Sequence, residues 1–265
     1  MVRFHFPLPI KMNYIKNTPL HHKIFFLFLI CILLMSYFCK YSSYRIAVKN
    51  SICSRYFSNF WKESGFIENL QALFLIAAII ILIRIACKSK IKIVQIFLAF
   101  KSIALIYYLG EEISWGQHYF GFITPEFFVD INNQKETNLH NISNIFDQLP
   151  RTLVLIWCSF TIFIINFLEK KININFIFKK LLIPSSKLIF ISLILIIIST
   201  PDLIIDKFNL HPGYYDAVNG LCPECKTYDL ITLSFIRFSE LQELIFTFYF
   251  FSYSIFLNKL KNNII

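Results

Sequence analysis

Two adjacent carboxylates open the part of the chain richest in reactive groups, the run Gly110-Glu111-Glu112-Ile113-Ser114-Trp115-Gly116-Gln117-His118. Like charges side by side raise each other's proton affinity. At an apolar boundary Glu111 and Glu112 could therefore share one proton and serve as acid and base, or together ligate a cation. The plainer alternative is a solvated helix end with Trp115 anchored at a membrane interface. Ser114 and His118 are four positions apart, which on a helix would set a nucleophile beside its base, although Gly116 between them interrupts the helix. Glu136 and His140 repeat the four-residue spacing. They form a second acid, base or ligand couple if a helix begins early enough; otherwise Glu136 precedes the helix and stabilises its N-terminus through the dipole.

His118 and His140 stand 22 residues apart, with no H-E-x-x-H arrangement, so the zinc-protease pattern is absent. The donor types of His118, His140 and Glu112 suit a divalent metal, but their spacing specifies none, and the cofactor is unknown. No Gly-rich phosphate loop, G-x-S-x-G elbow or dinucleotide fingerprint occurs. Cys222 and Cys225 form a single C-x-x-C. With no second pair to complete a zinc site, the expected state is a disulfide tying an extracytoplasmic loop.

The elements that must position these groups are apolar. The 265 residues are 56% hydrophobic and only 16% charged, against about 25% charged in soluble domains, which excludes an ordinary soluble enzyme. The net charge of +10 lies in clusters beside apolar runs, where basic residues set topology, so nucleic acid is not expected as a partner. The fold class read from these runs is all-α, a single integral membrane domain over 1–265: a polytopic bundle with about six spans near 24–39, 66–87, 93–109, 153–168, 188–205 and 238–257. The first span reads as a retained signal anchor, since no small-residue cleavage site follows it.

Lys and Arg crowd residues 1–23, the turn after span two, the loop after span four and the C-terminal tail, whereas most carboxylates fall on the other side. Both termini are accordingly expected to be cytoplasmic, with Lys40, Arg45, Lys49, Arg55 and Lys62 of the first outer loop as a counter-signal.

In the third loop, Thr124-Pro125-Glu126 reads as a helix start, with Thr as N-cap and Pro at N1. From Thr137 onward Leu139, Ile142, Ile145, Phe146 and Leu149 alternate with His140, Asn144 and Asp147, the pattern of an interfacial amphipathic helix. Further polar residues reach the same membrane face. Glu68, Asn69 and Gln71 begin span two, while Arg237, Glu240 and Glu243 begin span six. Lys101 lies midway along span three, on roughly one face with Ala104, Tyr108, Glu112 and Trp115. Ionisable residues inside a span turn toward a bundle interior or a water cavity. Glu68, Glu112, His140 and Glu240 are therefore expected to line one extracytoplasmic pocket with Lys101 below. Glu111, Glu112, His118, Glu136 and His140 are the catalytic candidates. Asn69, Trp115, Gln117, Arg237 and Glu243 join Glu68, Lys101 and Glu240 as binding candidates.

The run 110–117, followed by Thr124-Pro125-Glu126-Phe127-Phe128 and by Glu136-Thr137-Asn138-Leu139-His140-Asn141, resembles an uncharacterised family of bacterial polytopic membrane proteins. The resemblance covers span two through the loop helix and implies membership without an activity. It places the chain in a bacterial inner or plasma membrane. Three functions fit the polar pocket: a membrane-embedded hydrolase or transferase acting on a lipid or lipid-linked head group, an ion- or proton-coupled carrier, and a structural or accessory subunit. In the first, Glu112 or Glu111 is the base, His140 or His118 the acid or ligand, and Arg237 meets an anionic substrate group.

Overall fold

The structure, a computed structural model, describes residues 18–46, 60, 64–132, 135–168, 181, 186–207 and 238–260. Its elements are all helical: α1 (Leu20–Ile46), α2 (Phe66–Lys88), α3 (Lys92–Glu112), a 3-10 turn (Ser114–Gly116), α4 (Gln117–Phe120), α5 (Glu126–Ile131), α6 (Asn144–Leu168), a second 3-10 turn (Ser186–Leu188), α7 (Ile189–Lys207) and α8 (Phe238–Lys259). Each of the six apolar stretches falls within or closely matches a helix, although α1 runs on to Ile46, beyond residue 39, and α6 starts well before residue 153. Among the described residues, α2, α3 and the Leu20–Tyr37 part of α1 are long and apolar enough to cross a membrane. The chain is a membrane protein.

The second helix shows why lipid is its solvent. Its buried stripe, Ile67, Gln71, Leu75, Ala78, Leu82 and Ile85, follows the three- and four-residue spacing of one helix face. The opposite face is equally apolar yet exposed, through Leu73, Ile76, Ile80 and Ile83. In water that face would be a large unsolvated patch; in a bilayer it costs nothing. A three-residue turn joins α2 to α3. There Ser89 donates its N–H to Ile85 O and Ala86 O, its Oγ accepts Ile91 N–H at 3.2 Å, and Gln95 Nε2 donates to Ser89 O at 2.7 Å.

The last helix, α8, is the centre of the bundle. It is buried nearly all round, from Phe238 and Leu241 to Tyr253 and Leu257, and packs against α2, α6 and α7. Phe248 stacks on Phe25 of α1 at 3.7 Å. Because its neighbours are helices rather than acyl chains, α8 can carry Glu240, Glu243, three Tyr or Thr side chains and several Ser residues that a lipid-facing helix would not.

The third loop departs from its expected form. Residues 137–143 are turns rather than a helix, and α6 begins only at Asn144, running through Pro150 into the apolar stretch. Glu136 and His140 therefore do not share a helix face. The amphipathic pattern of 144–149 falls in the first two turns of a long helix, in which Pro150 removes one ladder donor. At α5 the N-cap is Pro125, not Thr124; the Thr124 hydroxyl donates instead to Lys135 O at 2.7 Å.

Candidate functional site

The run 110–118 ends α3 with an abrupt reversal. Ser114, Trp115 and Gly116 all hold positive φ, at 46°, 53° and 88°. The first two are side chains that rarely tolerate that region, so the turn is strained and must be held from outside. It folds the Trp115 ring back over Gly110, where a Cβ would lie 2.9 Å from three ring atoms. Only glycine fits there.

Residues 132 and 135–140 supply the holding. Glu111 accepts the Trp115 indole N–H at 3.0 Å on Oε1, and the N–H groups of Leu139 at 2.7 Å and His140 at 3.0 Å on Oε2. The His140 Nδ1 lies 3.5 Å from the same oxygen. Glu136 accepts the Ser114 hydroxyl at 2.7 Å and Asn138 Nδ2 at 2.8 Å on Oε2, with His118 Nε2 at 3.0 Å from Oε1. Asn138 Nδ2 also donates to Ser114 Oγ at 2.9 Å, and Asn132 Nδ2 donates to Asn138 O and Oδ1 at 2.8 and 2.9 Å. Gln117 completes the knot: its Nε2 donates to Thr124 Oγ1 at 2.6 Å, and its Oε1 accepts the N–H and hydroxyl of Thr137 at 2.8 and 2.9 Å.

This geometry corrects several chemical assignments. Glu111 and Glu112 do not share a proton, because neighbouring helix positions diverge and both Glu111 oxygens are occupied by N–H donors. A carboxylate so saturated is a fixed anion, suited to positioning rather than proton transfer. Ser114 does not pair with His118; Glu136 stands between them, and the hydroxyl is buried with its proton directed at a carboxylate. The Ser114–His118 couple suggested by the four-residue spacing is therefore not formed. His118 and His140 belong to different carboxylates. Among the described residues no three His, Cys, Asp or Glu side chains gather as a metal site, so His118, His140 and Glu112 are not drawn onto one ion.

Glu112 is placed otherwise. It makes no hydrogen bond or ion pair with the described residues, and it lines a cavity of about 410 Å³ between α3 and α6, with α8 behind. The walls are apolar and aromatic, including Phe100, Leu105, Tyr108, Val154, Trp157 and Phe250, and Leu82 of α2 contributes to them. The polar groups converge at one end: Glu111, Glu112, His140, Arg151 and Glu243. Arg151 Nη2 pairs with Glu243 Oε1, and Glu240 and Glu68 also act on Glu112 electrostatically. At the other end lies Lys101. Its buried Nζ has no hydrogen-bond partner among the described residues and rests 4.1 Å from the ring centres of both Trp157 and Tyr253 and 5.1 Å from that of Phe97.

Thus Glu112, His140, Glu243 and Lys101 come together in one cavity, while Glu68 and Glu240 do not line it. Glu68, in the first turn of α2, accepts the N–H of Ser64, one residue before the N-cap Gly65. Asn69 Nδ2 donates to Ser64 O and Gly65 O, and its Oδ1 accepts the Tyr119 hydroxyl at 2.6 Å. Burial, and then the Glu68 charge, push the Tyr119 hydroxyl up from its usual range, so it stays a donor at neutral pH. Gln71 Nε2 donates to Glu240 O at 3.1 Å, joining the second turn of α2 to the first turn of α8. Arg237, Cys222 and Cys225 lie outside the described residues.

Arg151 and the aromatic group around Lys101 were not singled out from the sequence. Arg151 follows Pro150 at the edge of an apolar run, where a basic residue reads as a topology signal, and its partner Glu243 is far away in the chain. Comparison with known protein families, with curated proteins and with solved structures finds no match to this chain.

Proposed function

We propose that the chain is a six-span protein of a bacterial plasma membrane, with both termini cytoplasmic, and that its extracytoplasmic cavity acts as a hydrolase or transferase on a lipid or lipid-linked head group. The observation that carries this reading is the pairing of a carboxylate without a hydrogen-bond partner among the described residues, Glu112, with an apolar cavity that gathers Glu111, His140, Arg151 and Glu243 beside it at one end, opposite Lys101. The exposed Phe120, Ile123 and Phe127 beside that end support seating it at a membrane interface, where aromatic side chains concentrate.

In this mechanism Glu112 takes the proton from water or a substrate hydroxyl as it attacks. Glu111 fixes the backbone and ring of His140 at the cavity mouth, so that the imidazole can return a proton to the leaving group. Arg151, held by Glu243, faces the charge that develops on the substrate. The test is mass spectrometry of lipid extracts from membranes carrying wild-type protein, Glu112→Gln, or neither. Loss of a general base lowers turnover by about 10²–10⁴-fold, so a lipid altered by the wild type should be unaltered by the variant at equal protein level. A lipid profile in which the two are indistinguishable overturns the catalytic reading.

A further inference from the structure

Lys101 is the group that the proposed reaction leaves unused. A lysine nitrogen midway along an apolar helix should reach for an oxygen or for the membrane surface. Among the described residues this one is buried and meets no oxygen. The contiguous helix α3 puts it eleven residues below Glu112, which at 1.5 Å per residue is about 16 Å along the axis, too far for an ion pair. What it has are ring faces: Trp157 and Tyr253 at 4.1 Å each, held in place by their own contacts. Trp157 stacks on Phe250 at 5.6 Å and meets Tyr253 edge-on at 5.4 Å, and the Tyr253 hydroxyl is committed to Leu181 O.

Ring faces attract an ammonium, but only weakly. They do not replace the counter-ion that a buried ammonium needs. Lys101 and both rings line the cavity. The flexible four-carbon stem lets the nitrogen follow an anion that enters it, while the rings pack against the anion's hydrocarbon. The cavity volume lies near the lower end of the 300–1,000 Å³ typical of ligand sites, roughly enough for one chain and too little for the two chains of a phospholipid.

We infer that the cavity floor is a binding site for the anionic end of a single-chain amphiphile, a carboxylate or phosphate monoester, with Lys101 as its counter-ion. The inference rests on the cavity being a ligand site, not on its being catalytic.

The experiment uses the full chain in phosphatidylcholine nanodiscs and measures binding of palmitate, hexadecyl phosphate, hexadecanol and hexadecylamine to wild type, Lys101→Met and Lys101→Arg. Wild type should prefer at least one of the two anions to the alcohol by about tenfold or more, equivalent to about 1.4 kcal/mol. The anion preferred tells a fatty acid from a lipid phosphate. Lys101→Met should abolish that preference and keep hexadecanol binding, which also shows that the variant folds; Lys101→Arg should keep much of it. Equal anion binding by wild type and Lys101→Met, or a preference for the amine, overturns the assignment of Lys101. If the alcohol binds and no charge preference exists, only this inference fails. If no probe binds the wild type, the ligand cavity fails with it.

Discussion

Substituting Gln for each of the two neighbouring glutamates should have opposite consequences, and the structure sets the size of the difference. At position 111 the amide keeps one acceptor and turns the other into a donor. Its better orientation leaves the carbonyl on the N–H groups of Leu139 and His140 and sets the amide nitrogen against the Trp115 indole N–H. One hydrogen bond is replaced by two opposed donors, at about 1–3 kcal/mol, and the two that survive lose charge assistance worth about 0.5–1 kcal/mol each. Glu111→Gln should therefore lose about 2–4 kcal/mol, partly relieved because Trp115 is half exposed and water can reach it.

For a chain of this size that is a melting temperature lower by on the order of 5–10 °C. Glu112→Gln breaks no hydrogen bond and removes a carboxylate from the company of Glu243, Glu240 and Glu68, so it should melt with the wild type or slightly above it. The assay is thermal unfolding of the purified variants in one detergent, followed by tryptophan fluorescence. A Glu111→Gln protein as stable as the wild type, or a Glu112→Gln protein that falls as far as Glu111→Gln, would refute the division into a carboxylate held by N–H donors and one that has none among the described residues.

Two other outcomes follow from geometry. Gly110→Ala places a methyl 2.9 Å from the rigid Trp115 ring, so it should destabilise by about 1–3 kcal/mol and change the Trp115 fluorescence, as a spectrum and melting curve would show. Single cysteines at Lys90 and Glu126 should label from opposite sides of the membrane with an impermeant thiol reagent in intact cells, on a background without the native cysteines; equal labelling overturns the six-span orientation.

The apolar runs revealed where helices lie because a bilayer demands long uninterrupted stretches, and Phe66–Lys88 needs little beyond its own residues to be recognised. The roles within the 110–141 motif were not readable in the same way. Glu111 and Glu136 have the residue type of a catalyst, and only tertiary contact shows that their lone pairs are already taken. The spacing of Leu139, Ile142, Ile145 and Phe146 suits a helix, yet the chain turns at 137–143 and gives the N–H groups of Leu139 and His140 to Glu111. Local periodicity cannot register a competing acceptor 28 residues upstream. Lys101 stood out for its position alone, whereas its cage depends on α6 and α8 arriving beside it.

The central place of α8 bears on how the protein is made. Helices are delivered to the membrane in chain order, and α8 is the last of those described. At translation speeds of about 5–20 residues per second, on the order of ten seconds separates α2 from the helix it packs against most closely. Throughout that interval Gln71 and the buried stripe of α2 lie in lipid without their neighbour, and the cavity has no back wall. Assembly is therefore a late event, in which insertion of the early helices precedes their packing. The half-made bundle is the form most open to membrane proteases, so mutations along α8 should lower the amount of protein that survives synthesis before they alter what the finished protein does.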